Sequence, residues 1–237
     1  GGETGMEKKT IGIIGGMGPL ATADLFEKIV GHTKAACDQE HLHVVIDSNT
    51  NIPDRTAALL HGGADPLPEL TGSARRLEAM GADVLIMPCN TAHNYYDGIS
   101  AAVSVPVLHM VRLTAQALVE RGVKKAGLLA TDGTVRTGIY QKSFAGSGVE
   151  LLTPDEAGQR AVMEMIYQGV KAGDMAFDAQ PARQAMERLL AAGAEVLILG
   201  CTELPLAVKL YGIALPAVDP TLELALEAIR FAGGETV

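Results

Sequence analysis

The chain has 237 residues, 48% of them hydrophobic and 20% charged, with no low-complexity tract, which excludes a disordered segment and allows one large or two modest cores. Its formal charge of −9, with no basic stripe or Lys/Arg-rich run, argues against nucleic acid or an anionic membrane as partner, and no apolar run approaches the length of a membrane span. Three cysteines, an odd number with no signal peptide expected before Met6, point to free thiols in a reducing, cytoplasmic compartment, and Gly1 to Gly5 are read as an appended remnant.

Residues 9–14 form a first strand that runs into Gly15-Gly16-Met17-Gly18-Pro19. Residues 21–36 carry Leu25, Phe26, Ile29 and Val30 at helical spacing, so the glycines make a strand-to-helix loop with Pro19 in the first turn, where its missing N–H costs nothing. Gly16-x-Gly18-x-x-Ala21 also matches the dinucleotide fingerprint, with Asp47 closing the strand 44–46 where a ribose-binding acid would sit. The alternative is a tight turn that offers its N–H groups to any small anion. Residues 48–56 are a polar loop at a strand's carboxyl end. There Asp54 and Arg55 either point into a cleft, or Asp54 caps a short helix over 55–60 and leaves Arg55 solvated. A helix over 66–80 stops at Gly81.

The next strand delivers Cys89, with Asn90, Thr91 and His93 at the first turn of a following helix, where N–H groups are free for an anion. A strand over 105–109 and a helix over 111–121 lead into the second half. That half opens with a strand over 126–130 and a hydroxyl-rich loop, Thr131-Asp-Gly-Thr134-Val-Arg136-Thr137, in the place of the first glycine loop. A strand over 149–152 and a helix over 157–170 follow; Lys171 stands in its last turn, where a cation complements the helix dipole. An amphipathic helix over 181–192 precedes the strand that delivers Cys201. The final helix, 219–232, has no counterpart in the first half and is expected to pack back onto it. Cys37 matches no motif and is read as a helix-packing thiol.

The two cysteine strands are copies of one another. Gly81-Ala-Asp-Val-Leu-Ile-Met-Pro-Cys89 parallels Gly193-Ala-Glu-Val-Leu-Ile-Leu-Gly-Cys201, and the flanking strands repeat at offsets near 110 to 115 residues. A continuous apolar run too short for a helix reads as a buried parallel strand, and ligands bind beyond the carboxyl ends of such strands. The expectation is an α/β chain of two pseudo-symmetric doubly wound parallel-sheet lobes, with the site in the cleft between them. Residues 6–110 plus the helix 219–232 form the first lobe and residues 111–218 the second. Two thiols facing one cleft have four uses. A disulfide is disfavoured by compartment, a metal site by the lack of Cys-x-x-Cys or His-x-x-x-His spacing around Cys89, His93 and Cys201, and a single nucleophile by the equivalence of the pair. Proton removal from one face of a carbon and return to the other remains.

Pro88-Cys89-Asn90-Thr91-Ala92-His93 and Gly200-Cys201-Thr202-Glu203-Leu204-Pro205, with Gly15-Gly16-Met17-Gly18-Pro19 and Ile52-Pro53-Asp54-Arg55-Thr56, resemble the cofactor-independent aspartate/glutamate racemase superfamily, the aspartate branch above all. The resemblance spans residues 9–231. Glutamate racemases carry histidine after the second Cys-Thr and Asp-Ser-Gly near the first glycine loop; Glu203 and Gly-Gly-Met stand here instead, which argues against glutamate as the preferred substrate. The resemblance implies Cys89 and Cys201 as paired acid/bases and Asn90, Thr91, Thr131, Thr134 and Thr202 as holders of the α-carboxylate and α-amine. It implies Arg55 and Lys171 as receivers of the distal carboxylate, Met17, Asp54 and Glu203 near the site, and His93 in a structural role. It also implies no cofactor and no metal, a small acidic amino acid as substrate, and a homodimer. The alternatives are a glutamate or broad-specificity racemase, a decarboxylase or cis–trans isomerase of the same superfamily, and a module that only binds small acids.

Overall fold

The computed structural model describes residues 7–237; the readings of Gly1 to Gly5 and of Met6 lie outside the described residues. The first half of the chain runs β1 (Ile11–Gly15), α1 (Pro19–His32), β2 (Val44–Ser48), α2 (Arg55–Leu60), α3 (Leu67–Ala79), β3 (Val84–Ile86), a 3-10 turn Thr91–Tyr95, α4 (Tyr96–Ala101) and α5 (Met110–Glu120). The second half runs β4 (Lys125–Leu129), α6 (Asp132–Thr137), α7 (Ile139–Phe144), β5 (Glu150–Leu152), α8 (Glu156–Glu164), a π-helical turn Met165–Val170, α9 (Gln180–Ala191), β6 (Val196–Leu199), α10 (Leu204–Leu210), β7 (Ala217–Val218) and α11 (Pro220–Phe231). Two parallel sheets result, ordered β2-β1-β3 and β5-β4-β6-β7.

The sheets repeat one another in register. Ile11 faces Val84 across β1 and β3, and Ala126 faces Val196 across β4 and β6, so each cysteine strand lies beside the strand that opens its own half. Every residue of β1 and β3 is buried because helices cover both faces of the sheet, which is why these strands read as unbroken apolar runs. Residues 105–109, expected as a strand, contribute only the isolated bridge from Leu85 to Val107; Pro106 has no N–H for a longer ladder.

Three further expectations are corrected. The final helix has a counterpart, α5. Each follows the last pairing of its half, and each is capped by the residue before it, His109 accepting from the Arg112 N–H at 3.2 Å and Asp219 from the Thr221 N–H at 2.9 Å. The two helices are exchanged between halves. Leu224, Ala225, Ala228 and Ile229 of α11 pack with Ile11, Ile13, Leu25 and Ile29 of the first sheet layer. Val111, Ala115 and Leu118 of α5 pack with Ala126, Leu128 and Ile198 of the second. Each buried Leu or Ile contributes roughly 1.5–3 kcal/mol, so the halves are joined by apolar surface well away from the cleft. The hydroxyl-rich stretch after β4 is also helical rather than a loop: Thr131 caps α6 through the Thr134 N–H, which offsets the low helix propensity of its threonines and glycine. Cys37 does not pack a helix; α1 ends at His32 and the thiol is exposed.

Candidate active site

Cys89 and Cys201 lie just past the carboxyl ends of β3 and β6, and both are buried. They line one cavity, together with Met17, Arg55, Thr56, Asn90, Thr91, Thr131, Tyr167, Lys171, Thr202 and Glu203. Backbone geometry at each cysteine is fixed by the turn that follows. The Cys89 carbonyl accepts from His93 Nδ1 at 2.7 Å, and the Cys201 carbonyl from the Leu204 N–H at 2.9 Å. His93 Nε2 accepts in turn from the Met110 N–H at 3.1 Å, so both ring nitrogens are occupied by the scaffold and the ring is held as one neutral tautomer. Burial, reinforced by the Arg112 charge, lowers its pKa to about 4, against the opposing bonds to the Cys89 and Asn90 backbone. A histidine so engaged has no lone pair for a metal, and among the described residues no group of three or more His, Cys, Asp or Glu is placed to hold one.

Glu203 organises the charge in the cavity. Its carboxylate is only 3% exposed and is shared among four donors. Oε1 accepts from the Gly18 N–H at 3.1 Å and from Lys171 Nζ at 3.2 Å, and Oε2 accepts from Cys201 Sγ at 3.2 Å and Thr202 Oγ1 at 3.3 Å. The N–H of the glycine loop therefore serves an anion supplied by the other half of the chain. Asp47, the other support of the dinucleotide reading, is tied to Ser73 and to Arg76 at 2.9 Å. Gly16 is required by shape: its φ is +95°, and a Cβ there would run into the Asn49 backbone.

These neighbours set the protonation of the site. Burial and then the Glu203 charge push the Cys201 thiol well above its ordinary range, with Lys171 only partly opposing. Lys171 keeps its proton firmly: burial works against the charge, but Glu203, Cys201 and Cys89 outweigh it and its pKa is raised. Arg55 follows the same logic, burial opposing and Cys89, Asp54 and Tyr167 prevailing. Its Nη1 donates to the Pro53 carbonyl at 3.1 Å, while Nε is buried without a partner. Each of the two readings of Asp54 and Arg55 holds in part, since Asp54 is a cap but Arg55 is not left solvated. Asp54 caps α2 through the Ala57 N–H at 2.7 Å and accepts from Tyr167 at 3.0 Å, and Arg55, the first residue of that helix, reaches the cavity.

Thr91 bridges the halves, its hydroxyl 2.7 Å from that of Thr131 and 2.8 Å from that of Thr134. Thr134 departs from its expected role. It is fully buried beneath the other two hydroxyls and does not line the cavity, so it orients Thr91 and Thr131 rather than meeting a ligand. Close approach of the halves depends on Gly133, where a Cβ would sit 2.8 Å from Thr56 Oγ1 and 3.0 Å from Thr91 Cγ2. Thr56 and Tyr167 line the cavity without having been expected there. Tyr167 was legible, since it lies four residues before Lys171 on the same helical face.

The family model described as Asp/Glu/Hydantoin racemase matches residues 14–228. Over 223 residues the chain is 30% identical to the broad specificity amino-acid racemase RacX of Bacillus subtilis, an alignment covering 92% of this chain and 96% of that protein. Among solved structures it is similar to Picrophilus torridus aspartate racemase, with a TM-score of 0.83 and 33% identity over 97% of this chain and 96% of that one. The glutamate racemase of Francisella tularensis, at 15% identity and a TM-score of 0.67 over 95% of this chain and 81% of that one, shares the fold alone. Matched by the family model across most of its length, and end to end by racemases, the chain belongs to the Asp/Glu/hydantoin racemase family and is an amino-acid racemase.

Proposed function

We propose that this racemase interconverts the enantiomers of an acidic amino acid, aspartate foremost, by passing protons between two cysteines without pyridoxal phosphate. The observation that carries the reading is the arrival of Cys89 and Cys201 in one cavity from equivalent strand ends of two repeated sheets. Cys201 holds its proton and donates it toward Glu203, which leaves Cys89 as the base for one enantiomer, with the roles of the two thiols reversed for the other. Cys89 takes the α-proton, the C–H electron pair moves into the α-carboxylate, and Cys201 delivers its proton to the opposite face of the carbon as that pair returns. An α-proton is a very weak acid, so donors on the carboxylate must carry the developing charge; Asn90, Thr91, Thr131 and Thr202 are among the neutral donors of this cavity. Each tenfold in rate requires about 1.4 kcal/mol, which spreads the task over all of them.

Aspartate is favoured by the buried, unpartnered Arg55 Nε, by Lys171 beside it, and by the likeness to an aspartate racemase at 33% identity. One observation favours a broader range. Behind Arg55, Lys171 and Glu203 the cleft continues into a space lined by Met17, Leu20, Ile52 and Val170, where a longer apolar side chain would fit, and RacX is a broad-specificity enzyme. A panel of single enantiomers followed by circular dichroism, on protein dialysed against chelator, tests both. L- and D-aspartate should each decay to zero ellipticity at the fastest rates in the panel. Faster decay of apolar amino acids would establish the broad reading, and restoration of a lost rate by zinc would overturn the metal-free one.

A further inference from the structure

We propose that Tyr140, which lies outside the cavity wall, is a positioning residue: its phenol fixes the side-chain amide of Asn90 so that the amide nitrogen is presented to the substrate's carboxylate. The proposal rests on the racemase reading for what occupies the cavity and adds a residue from α7 to it. Tyr140 is fully buried, and its hydroxyl donates to Asn90 Oδ1, a bond between the two halves of the chain. No other partner for that hydroxyl exists among the described residues. Burial, then the charges of Cys201 and Asp219, push the phenol far above its ordinary range, so it stays an O–H, and with no other acceptor in reach among the described residues its proton is satisfied by the Asn90 oxygen. The amide's other end, Nδ2, is then left buried with no partner in a residue that is 2% exposed and lines the cavity.

A buried N–H without an acceptor is costly, and such groups in native structures call for an explanation. A carboxylate in the cavity supplies one, because it accepts where the protein offers nothing. The same donor strengthens as charge accumulates on that carboxylate when the α-proton leaves, so the arrangement serves the transition state more than the ground state. Were the amide free to turn, its oxygen would face the carboxylate and repel it.

The test is Tyr140→Phe, which keeps the ring packed against Phe144 and removes only the hydroxyl. We expect kcat for aspartate to fall about 10- to 100-fold and KM to rise about 10-fold. Binding of the unreactive dicarboxylate succinate, measured by calorimetry, should weaken about 10-fold. The double variant Tyr140→Phe/Asn90→Ala should be no slower than Asn90→Ala alone, since Tyr140 acts only through that amide. A second variant, Asn90→Asp, accepts the phenol equally well but presents an anion in place of a donor, and should lose succinate. Wild-type succinate binding in Tyr140→Phe, or full multiplication of the two losses in the double variant, would overturn the proposal. The succinate arm needs no turnover: weakened binding supports the positioning role even if no acidic amino acid is racemised, and that second result would overturn the functional reading alone.

Discussion

Arg55 is held in the cavity with part of its guanidinium unsatisfied, although burial opposes its charge and Asp54 stands next to it at the helix start. A planar fork with a spare buried N–H suits a carboxylate, which it grips by two charge-assisted bonds. Lys171 differs, because Glu203 already neutralises it at 3.2 Å and with it holds Cys201 and Gly18 in place. Arg55→Ala should therefore slow aspartate racemisation by about 100-fold or more, the scale of a lost charge-assisted pair. Alanine and serine, which have no distal carboxylate, should lose less than about 5-fold on the same argument. Steady-state kinetics on the three substrates decides the matter, and equal losses would make Arg55 part of the scaffold.

Among the elements, the 3-10 turn Thr91–Tyr95 shows how a site residue's neighbours become structural. His93 in that turn joins Cys89 to the start of α5, and it can accept from Met110 only while neutral. Burial lowers the pKa of His93 to about 4 and that of His109, whose ring lies tilted 4.9 Å away, to about 3. Both folded-state values lie below the ordinary 6.5, so the unfolded chain binds more protons between those limits. The stability these rings contribute is complete above pH 6.5 and is lost as pH falls toward 4 and then 3. For His93 the loss is about 3 kcal/mol. Urea unfolding from pH 7.5 to 4 should show a falling midpoint, flattened in His93→Asn; a midpoint independent of pH would contradict the assignment.

What was legible in the sequence follows the same physics. Buried parallel strands are unbroken apolar runs, so the ends at Cys89 and Cys201 stood out, and the repeat paired them. Helix α2 was legible because Asp54 caps it through its own side chain. Helices α6, α7 and α10 were not, being only six or seven residues long, with threonine and glycine in α6 and a proline in α10. The pairing of α5 with α11 was hidden because their relation lies in topology, His109 and Asp219 capping equivalent helices with unlike side chains. Tyr140 gave no signal at all: its partner is 50 residues away, and a core tyrosine looks the same in sequence whether or not its hydroxyl holds something.

Over the whole molecule, exchanged apolar helices bind the halves on one side, while the cleft side is closed by polar contacts: Gly18 to Glu203, Asp54 to Tyr167, Asn90 to Tyr140, and the hydroxyls of Thr91 and Thr131. Each such contact is worth about 0.5–1.5 kcal/mol, and hydrogen bonds involving charged groups somewhat more, so the cleft side is the weaker seam. Duplicated sheets then bring one thiol from each half to the same cavity. The most direct test uses Cys89→Ser and Cys201→Ser, which keep the shape and replace each thiol with a far weaker acid/base at neutral pH. In deuterated water, α-deuterium incorporation is followed by NMR for both variants with both enantiomers of aspartate. Neither variant should racemise, and each should exchange the α-proton of only one enantiomer, the opposite one for the two variants. Substantial racemisation by either variant, or exchange of the same enantiomer by both, would contradict proton transfer between two opposed cysteines.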